Sequence, residues 1–158
     1  MANEEITEVP VDATAADVTY EEVPSEVDPR LGATNVFKLA IANYIGTQGR
    51  LISLHSGDPG LTGATEIPAT NGYTKQLTTW GAAVVVSGGA NDGRAQITGS
   101  TLTFSVPGGV GINYYGVWSG ASAAAPGNFL YGKPLQPGAT LTSAGQITLT
   151  PTHAYGLL

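Results

Sequence analysis

The charges of this chain are sorted along its length, and that sorting limits what it can fold into more than any motif does. Residues 1–30 hold nine acids (Glu4, Glu5, Glu8, Asp12, Asp17, Glu21, Glu22, Glu26, Asp28) against Arg30 alone, a net of −8. Residues 31–158 hold three acids (Asp58, Glu66, Asp92) against five bases (Lys38, Arg50, Lys75, Arg94, Lys133), a net of +2, and the two parts together give −6. The chain is therefore an acidic arm on an almost uncharged body. Eight charges in the 128 residues after position 30 are about 6%, against a usual value near 25%. A body so thinly charged is poorly protected against association, so it reads as one piece of an assembly.

The arm does not encode a core of its own. Prolines and carboxylates recur through it, as in Glu8-Val9-Pro10 and Glu22-Val23-Pro24, and both oppose helix formation. Yet apolar residues are spaced along its whole length: Ile6, Val9, Val11, Val18, Tyr20, Val23 and Val27. These are the candidate partner-binding residues, suited to strand addition or to side-chain pockets on another polypeptide. Ordering about 30 residues costs on the order of 30 kcal/mol. Apolar burial alone would need roughly 1,200 Å² to offset that, fewer if backbone hydrogen bonds to a partner contribute. Extended, such a segment reaches up to about 100 Å.

Past residue 30 the periodicity changes. Phe37, Ala40, Ile41, Tyr44 and Ile45 recur at helical spacing and predict a helix over about 34–45, with Thr34 or Asn35 as N-cap and Gly46 as the glycine that ends it. Short β-like runs follow: 51–55, 73–80, 82–86, 94–98, 102–106, 112–118, 129–133 and 146–150, separated by glycine-rich turns and by one long loop, 56–72. Gly 22 and Pro 10 fit such a chain of strands and tight turns. The expected fold is mainly β: an antiparallel sandwich or jelly-roll-like body over 31–158, one short N-terminal helix, and the arm over 1–30.

The stretch from Leu54 through His55-Ser56-Gly57-Asp58-Pro59-Gly60 to Glu66 resembles a segment of small virion proteins of tailed phages, especially those of actinobacteria, described variously as head fibre, head decoration or tail fibre proteins. Three further segments are similar to that family: Gly72-Tyr73 through Thr79-Trp80, Gly116-Val117-Trp118, and Phe129-Leu130-Tyr131-Gly132-Lys133-Pro134-Leu135. The resemblance spans roughly residues 36–150 and omits the arm. It implies a non-enzymatic structural component of the virion, with a capsid decoration (head fibre) role preferred. A minor tail or tail-fibre protein that binds carbohydrate for host recognition is the alternative. The expected partners are the major capsid protein, ahead of tail proteins, and further copies of the chain itself, a trimer preferred. Made in the host cytoplasm, the protein would end in the virion.

The residues themselves argue for bracing rather than chemistry. Asp58-Pro59-Gly60 is a turn, and His55 and Glu66 are placed to pin the loop that it opens. His55, Asp58 and Ser53 or Ser56 superficially suggest a nucleophilic triad, but they crowd one strand and its turn, without a nucleophile elbow. No catalytic residue, cofactor or metal is therefore assigned. Two histidines and three dispersed body acids give no metal-ligand spacing, and cysteine is absent. Gly88-Gly89 and Gly108-Gly109-Val110-Gly111 lack the lysine and helix of a phosphate cradle and read as hairpin turns. Five scattered bases and an acidic arm argue against nucleic acid. No apolar run is long enough to span a bilayer, and the acidic start is unlike a secretory signal. Trp80, Tyr114, Tyr115, Trp118 and Tyr131 are the residues that the weaker glycan-binding alternative would use. His153 reads as a packing or surface residue.

Overall fold

The computed structural model describes residues 33–156; the proposed arm, with Ile6, Val9, Val11, Val18, Tyr20, Val23 and Val27, lies outside the described residues. The described chain forms one helix, α1 (Asn35–Gln48), and nine strands: β1 (Leu51–His55), β2 (Gln76–Leu77), β3 (Val84–Val85), β4 (Ala95–Thr98), β5 (Leu102–Val106), β6 (Gly111–Trp118), β7 (Phe129–Thr140), β8 (Gly145–Leu149) and β9 (Thr152–Tyr155). Every strand pairing is antiparallel. Three sheets result, in the orders β2-β1-β6-β7, β3-β4-β9 and β5-β8. The fold is mainly β with a single helix, as the sequence predicts.

The main core lies between the four-stranded sheet and the β5-β8 pair. Ile52 and Leu54 from β1, Ile112, Tyr115 and Val117 from β6, and Leu102, Phe104 and Val106 from β5 form one cluster. Alternation puts the β1 and β5 residues, and Tyr115 with Val117, on a common face, and a register irregularity between Ile112 and Tyr114 brings Ile112 onto it as well. A smaller cluster of Ala42, Ala95 and Ile97 joins α1 to β4, and Trp80 packs against both clusters.

The helix corrects the sequence reading in two ways. Its N-cap is Thr34, whose Oγ1 accepts from the Phe37 amide at 3.3 Å. Its far end is not at Gly46, however, but past Gln48, where Gly49 takes an extended conformation. Trp80 Nε1 donates to the Gly49 carbonyl at 2.7 Å, so a tertiary contact fixes the end of the helix. The buried positions are Lys38, Ala42 and Gly46, spaced four apart, whereas Phe37 and Tyr44 of the predicted apolar face are 51% and 61% exposed. Size explains the inversion. A Cβ on Gly46 would stand 3.1 Å from Ile97 Cδ1 and 3.4 Å from Trp80, so only small residues let the helix lie this close to β4. Lys38 joins that face by its aliphatic stem and brings Nζ to the Gly93 carbonyl at 2.9 Å.

Several strands also differ in extent. Over 73–80 only Gln76–Leu77 pairs as a strand, with a single further bridge from Trp80 to Gly99, because Tyr73 and Thr78 turn inward to bond the core. β7 runs on to Thr140 through Pro134 and Pro137, which a sheet edge tolerates because no outer neighbour needs their missing N–H. β9 follows Pro151 directly and completes the three-stranded sheet beside β4, so His153 lies in a strand. Gly88-Gly89 do sit in the hairpin between β3 and β4. Gly108-Gly109 instead link β5 to β6, strands that pair with other partners.

The reassigned helix face gives a direct test. Ala42→Glu places a carboxylate in the closed α1–β4 contact and should cost more than about 3 kcal/mol in urea unfolding. Ala40→Glu, on the exposed face, should stay within about 0.5 kcal/mol of the parent. Equal costs would return the helix to the face that its hydrophobicity suggests.

Candidate functional site

β1 is buried at all five positions, so both of its faces are covered. Ile52 and Leu54 face the core. Ser53 and His55, two residues apart, share the opposite face, and the loop after β1 folds back over them. His55 pairs with Glu66 in an isolated antiparallel bridge, and Ser56 N–H donates to the Thr65 carbonyl at 2.9 Å. Between these ends the loop is bonded internally. Gly60 N–H donates to Asp58 Oδ1 at 2.8 Å, Gly63 and Ala64 N–H to the Pro59 carbonyl at 3.0 and 2.9 Å, and Thr65 Oγ1 to the Gly57 carbonyl at 2.8 Å. At its tip Leu61 is 95% exposed.

A chain of hydrogen bonds runs beneath the loop. Trp118 Nε1 donates to Ser53 Oγ at 2.7 Å, Ser53 Oγ lies 2.7 Å from His55 Nε2, and His55 Nδ1 lies 2.7 Å from the Ala64 carbonyl. A carbonyl can only accept, so the proton sits on Nδ1 and Nε2 accepts from the serine. All three side chains are thereby satisfied with the imidazole neutral. Burial, the largest influence, pulls His55 below its ordinary value and reinforces that state.

Ser53 and His55 thus lie together, but not as a catalytic pair. Both are fully buried, Ser53 Oγ is held by the indole, and Asp58 bonds the Gly60 amide instead of the imidazole. Glu66 stands at the loop's closing end. Its Oε2 accepts from Lys75 Nζ at 2.7 Å and its Oε1 from Tyr73 Oη at 3.1 Å, while Tyr73 Oη accepts from the Leu54 amide at 2.8 Å. Lys75 Nζ lies 4.8 Å above the Trp118 ring.

Three glycines make room for this packing. Gly116 lies opposite Ser53, and a Cβ there would come within 2.6 Å of His55 Nε2 and 2.7 Å of Ser53 Oγ. A Cβ on Gly63, whose φ is +77°, would strike the Trp118 ring at 2.5 Å. One on Gly132 would overlap buried Pro59. Phe129 closes the side, edge-on to Trp118 with centroids 5.0 Å apart and to His55 at 6.0 Å. Sequence reasoning placed His55, Asp58, Pro59, Gly60 and Glu66 around the loop but missed Gly116, Trp118 and Phe129 as their counterparts. The two-residue spacing of Ser53 and His55 was the available signal.

Three of the five aromatics of the glycan reading are engaged within the fold. Trp80 Nε1 bonds Gly49 and Trp118 Nε1 bonds Ser53, while Tyr115 is buried and donates to the Thr152 carbonyl at 2.6 Å. Burial holds the Tyr115 phenol protonated, raising it to about 12. Among the described residues no three His, Cys, Asp or Glu side chains gather as metal ligands, and no helix is long and apolar enough to cross a membrane.

Two outcomes check this reading. Gly116→Ala should destabilise the fold by about 1–3 kcal/mol, because both atoms that the methyl meets are fixed in the hydrogen-bond chain; a change below about 0.5 kcal/mol would mean that the chain yields freely. For pH, folded His55 favours the neutral form, so its contribution is complete above the ordinary value near 6.5 and is lost as pH falls below it. The melting temperature should therefore drop between pH 7.5 and 5.5. His55→Gln should flatten that slope, leaving the part due to His153, which burial and then Lys133 shift in the same direction. An unchanged slope in the variant would remove His55 from the effect.

Comparison with known proteins agrees with the sequence resemblance. The family model described as Podophage GP4 fiber I protein gp80 matches residues 41–154, which include β1 to β8, all but the last residue of β9, the braced loop and the second half of α1. No curated protein matches the chain.

Proposed function

Because the chain belongs to the Podophage GP4 fiber I protein gp80 family, a fibre-type family of phage structural proteins, we propose that it decorates the capsid as a head fibre and is fastened there by its acidic N-terminal arm. The observation that carries this reading is the segregation of charge: −8 in residues 1–30 and +2 in the rest. The matched region begins at residue 41, within α1, so the acidic segment stands outside the part shared with the family. A shared body with its own appended segment suits a division of labour between a presented domain and an attachment device.

The mechanism is mechanical. The β body sits over a junction between shell subunits, and the arm crosses that junction and orders against its partner, the major capsid protein. Each copy adds buried surface that must separate before the shell opens. Carboxylates along the arm speed docking onto a basic groove and make it sensitive to salt. Val36, Phe37 and Tyr44, exposed on the outer face of α1 where the arm joins the body, add apolar surface of the kind that assemblies cover. Copies of the body associate with one another, a trimer being the arrangement that we favour.

Deletion of residues 1–28 tests the attachment. Particles assembled with the truncated chain should lose most of its occupancy, and the intact protein should dissociate more readily as salt rises. Full occupancy of the truncated chain would remove the arm from the account, and the body's own surface would then carry the attachment.

A further inference from the structure

At the seam between two sheets lies a cavity of about 210 Å³, lined by Asn91, Arg94, Tyr131, Lys133 and His153. β7 supplies Tyr131 and Lys133, β9 supplies His153, and Arg94 immediately precedes β4. Two of the body's five bases and one of the chain's two histidines thus meet in one place. Among the described residues none of the three body acids forms an ion pair with them: Glu66 pairs with Lys75, while Asp58 Oδ1 and Asp92 Oδ1 accept from the Gly60 and Gly88 amides, at 2.8 and 2.7 Å.

The donors are as uneven as the charge. Arg94 Nε and Tyr131 Oη are buried and, among the described residues, have no hydrogen-bond partner, and both residues line this cavity. Buried donors are nearly always paired, so two orphans on one cavity point to an acceptor that belongs there. Lys133 Nζ spends two of its three protons on the Thr152 carbonyl and hydroxyl, at 3.0 and 2.9 Å, and keeps the third. Arg94 Nη1 donates to Asn91 Oδ1 at 3.3 Å, which leaves the guanidinium edge bearing Nε–H unused. Burial and then Arg94 lower Lys133, and burial and then Lys133 lower His153, as expected of cations held together without a counter-charge.

We propose that this cavity is a carboxylate-binding site, with Arg94 and Lys133 supplying the charge and Arg94 Nε–H and Tyr131 O–H the waiting donors. A carboxylate has two oxygens and about four acceptor positions, enough to satisfy both orphans and the spare lysine proton. The cavity is several times the roughly 30 Å³ share of one water, so an acidic side chain fits. One source is the chain's own acidic segment. Lys38, in the first turn of α1, bonds Gly93 beside Arg94, which places the start of α1 near the cavity. The six residue steps from Asp28 to Thr34 can span up to about 20 Å. The other source is a carboxylate on another molecule. The site stands whether or not the arm attaches the protein to a shell.

The test uses the full chain and a full chain carrying Glu21→Gln, Glu22→Gln, Glu26→Gln and Asp28→Asn, titrated with sodium acetate at constant ionic strength. NMR follows the His153 ring and the amides of Arg94, Tyr131 and Lys133. Saturable shifts confined to these signals are expected in the neutralised chain, with affinity at least tenfold weaker in Arg94→Gln. Tyr131→Phe separates a site from a mere packing defect: losing an unpaired buried hydroxyl should leave the melting temperature unchanged or higher, yet weaken acetate binding. Acetate binding severalfold tighter in the neutralised chain than in the native one identifies the arm as the occupant; equal affinity supports the site with an external carboxylate. No saturable shift in the neutralised chain, or shifts that survive Arg94→Gln in a folded protein, would overturn the proposal.

Discussion

The structure hangs on β1 being covered on both faces. A strand buried on one side only can alternate polar and apolar residues, but β1 must settle Ser53 and His55 under a loop as well as Ile52 and Leu54 against the core. Buried polar side chains are costly unless paired. The pairing here is complete: indole to serine, serine to imidazole, imidazole to the carbonyl of Ala64. Because the last acceptor belongs to the loop backbone, satisfying the histidine also fixes the loop. Polar satisfaction in the strand and order in the loop are one requirement.

That requirement explains why four separated segments carry the family resemblance. His55 and the Asp58-Pro59-Gly60 turn meet Gly116 and Trp118 of β6, Phe129 and Gly132 of β7, and Tyr73, whose hydroxyl bridges the Leu54 amide and Glu66. In sequence these look like unrelated pieces of β grammar. In space they form the two sides of one contact, with glycines where backbone must approach a ring. The constraint is mechanical: it holds in place a loop that carries Leu61 exposed at its tip.

The strands were legible where alternation and turn chemistry agree, as at Leu51–His55 and Leu102–Val106, whose bounds follow from apolar runs between glycine or polar breaks. Reading fails where tertiary contact overrides local preference. α1 buries its small residues because the sheet lies close, and a hydrophobicity pattern carries no information about that distance. β9 is four residues long, follows a proline, and becomes a strand only because β4 offers an edge. The Asp-Pro-Gly turn and its histidine stood out locally, whereas Gly116 and Trp118 became their partners only through the β1–β6 register. Arg94, Lys133 and His153 lie in three distant segments, and no spacing rule brings them together.

The scarcity of charge links these features. With so few ionic groups, the body stabilises its interior through neutral hydrogen bonds to backbone: Trp80 to Gly49, Tyr115 to Thr152, His55 to Ala64. Salt barely screens such bonds, so the body is indifferent to ionic strength in a way that a segment of net charge −8 is not. The chain thereby separates two properties that would otherwise compete. The described core lies where charge is nearly absent, and the charge is concentrated in residues 1–30. A pair of cations with no ion-pair partner among the described residues then stands out in so neutral a body, which is why Arg94 and Lys133 carry an inference that the same residues on an ordinarily charged surface would not.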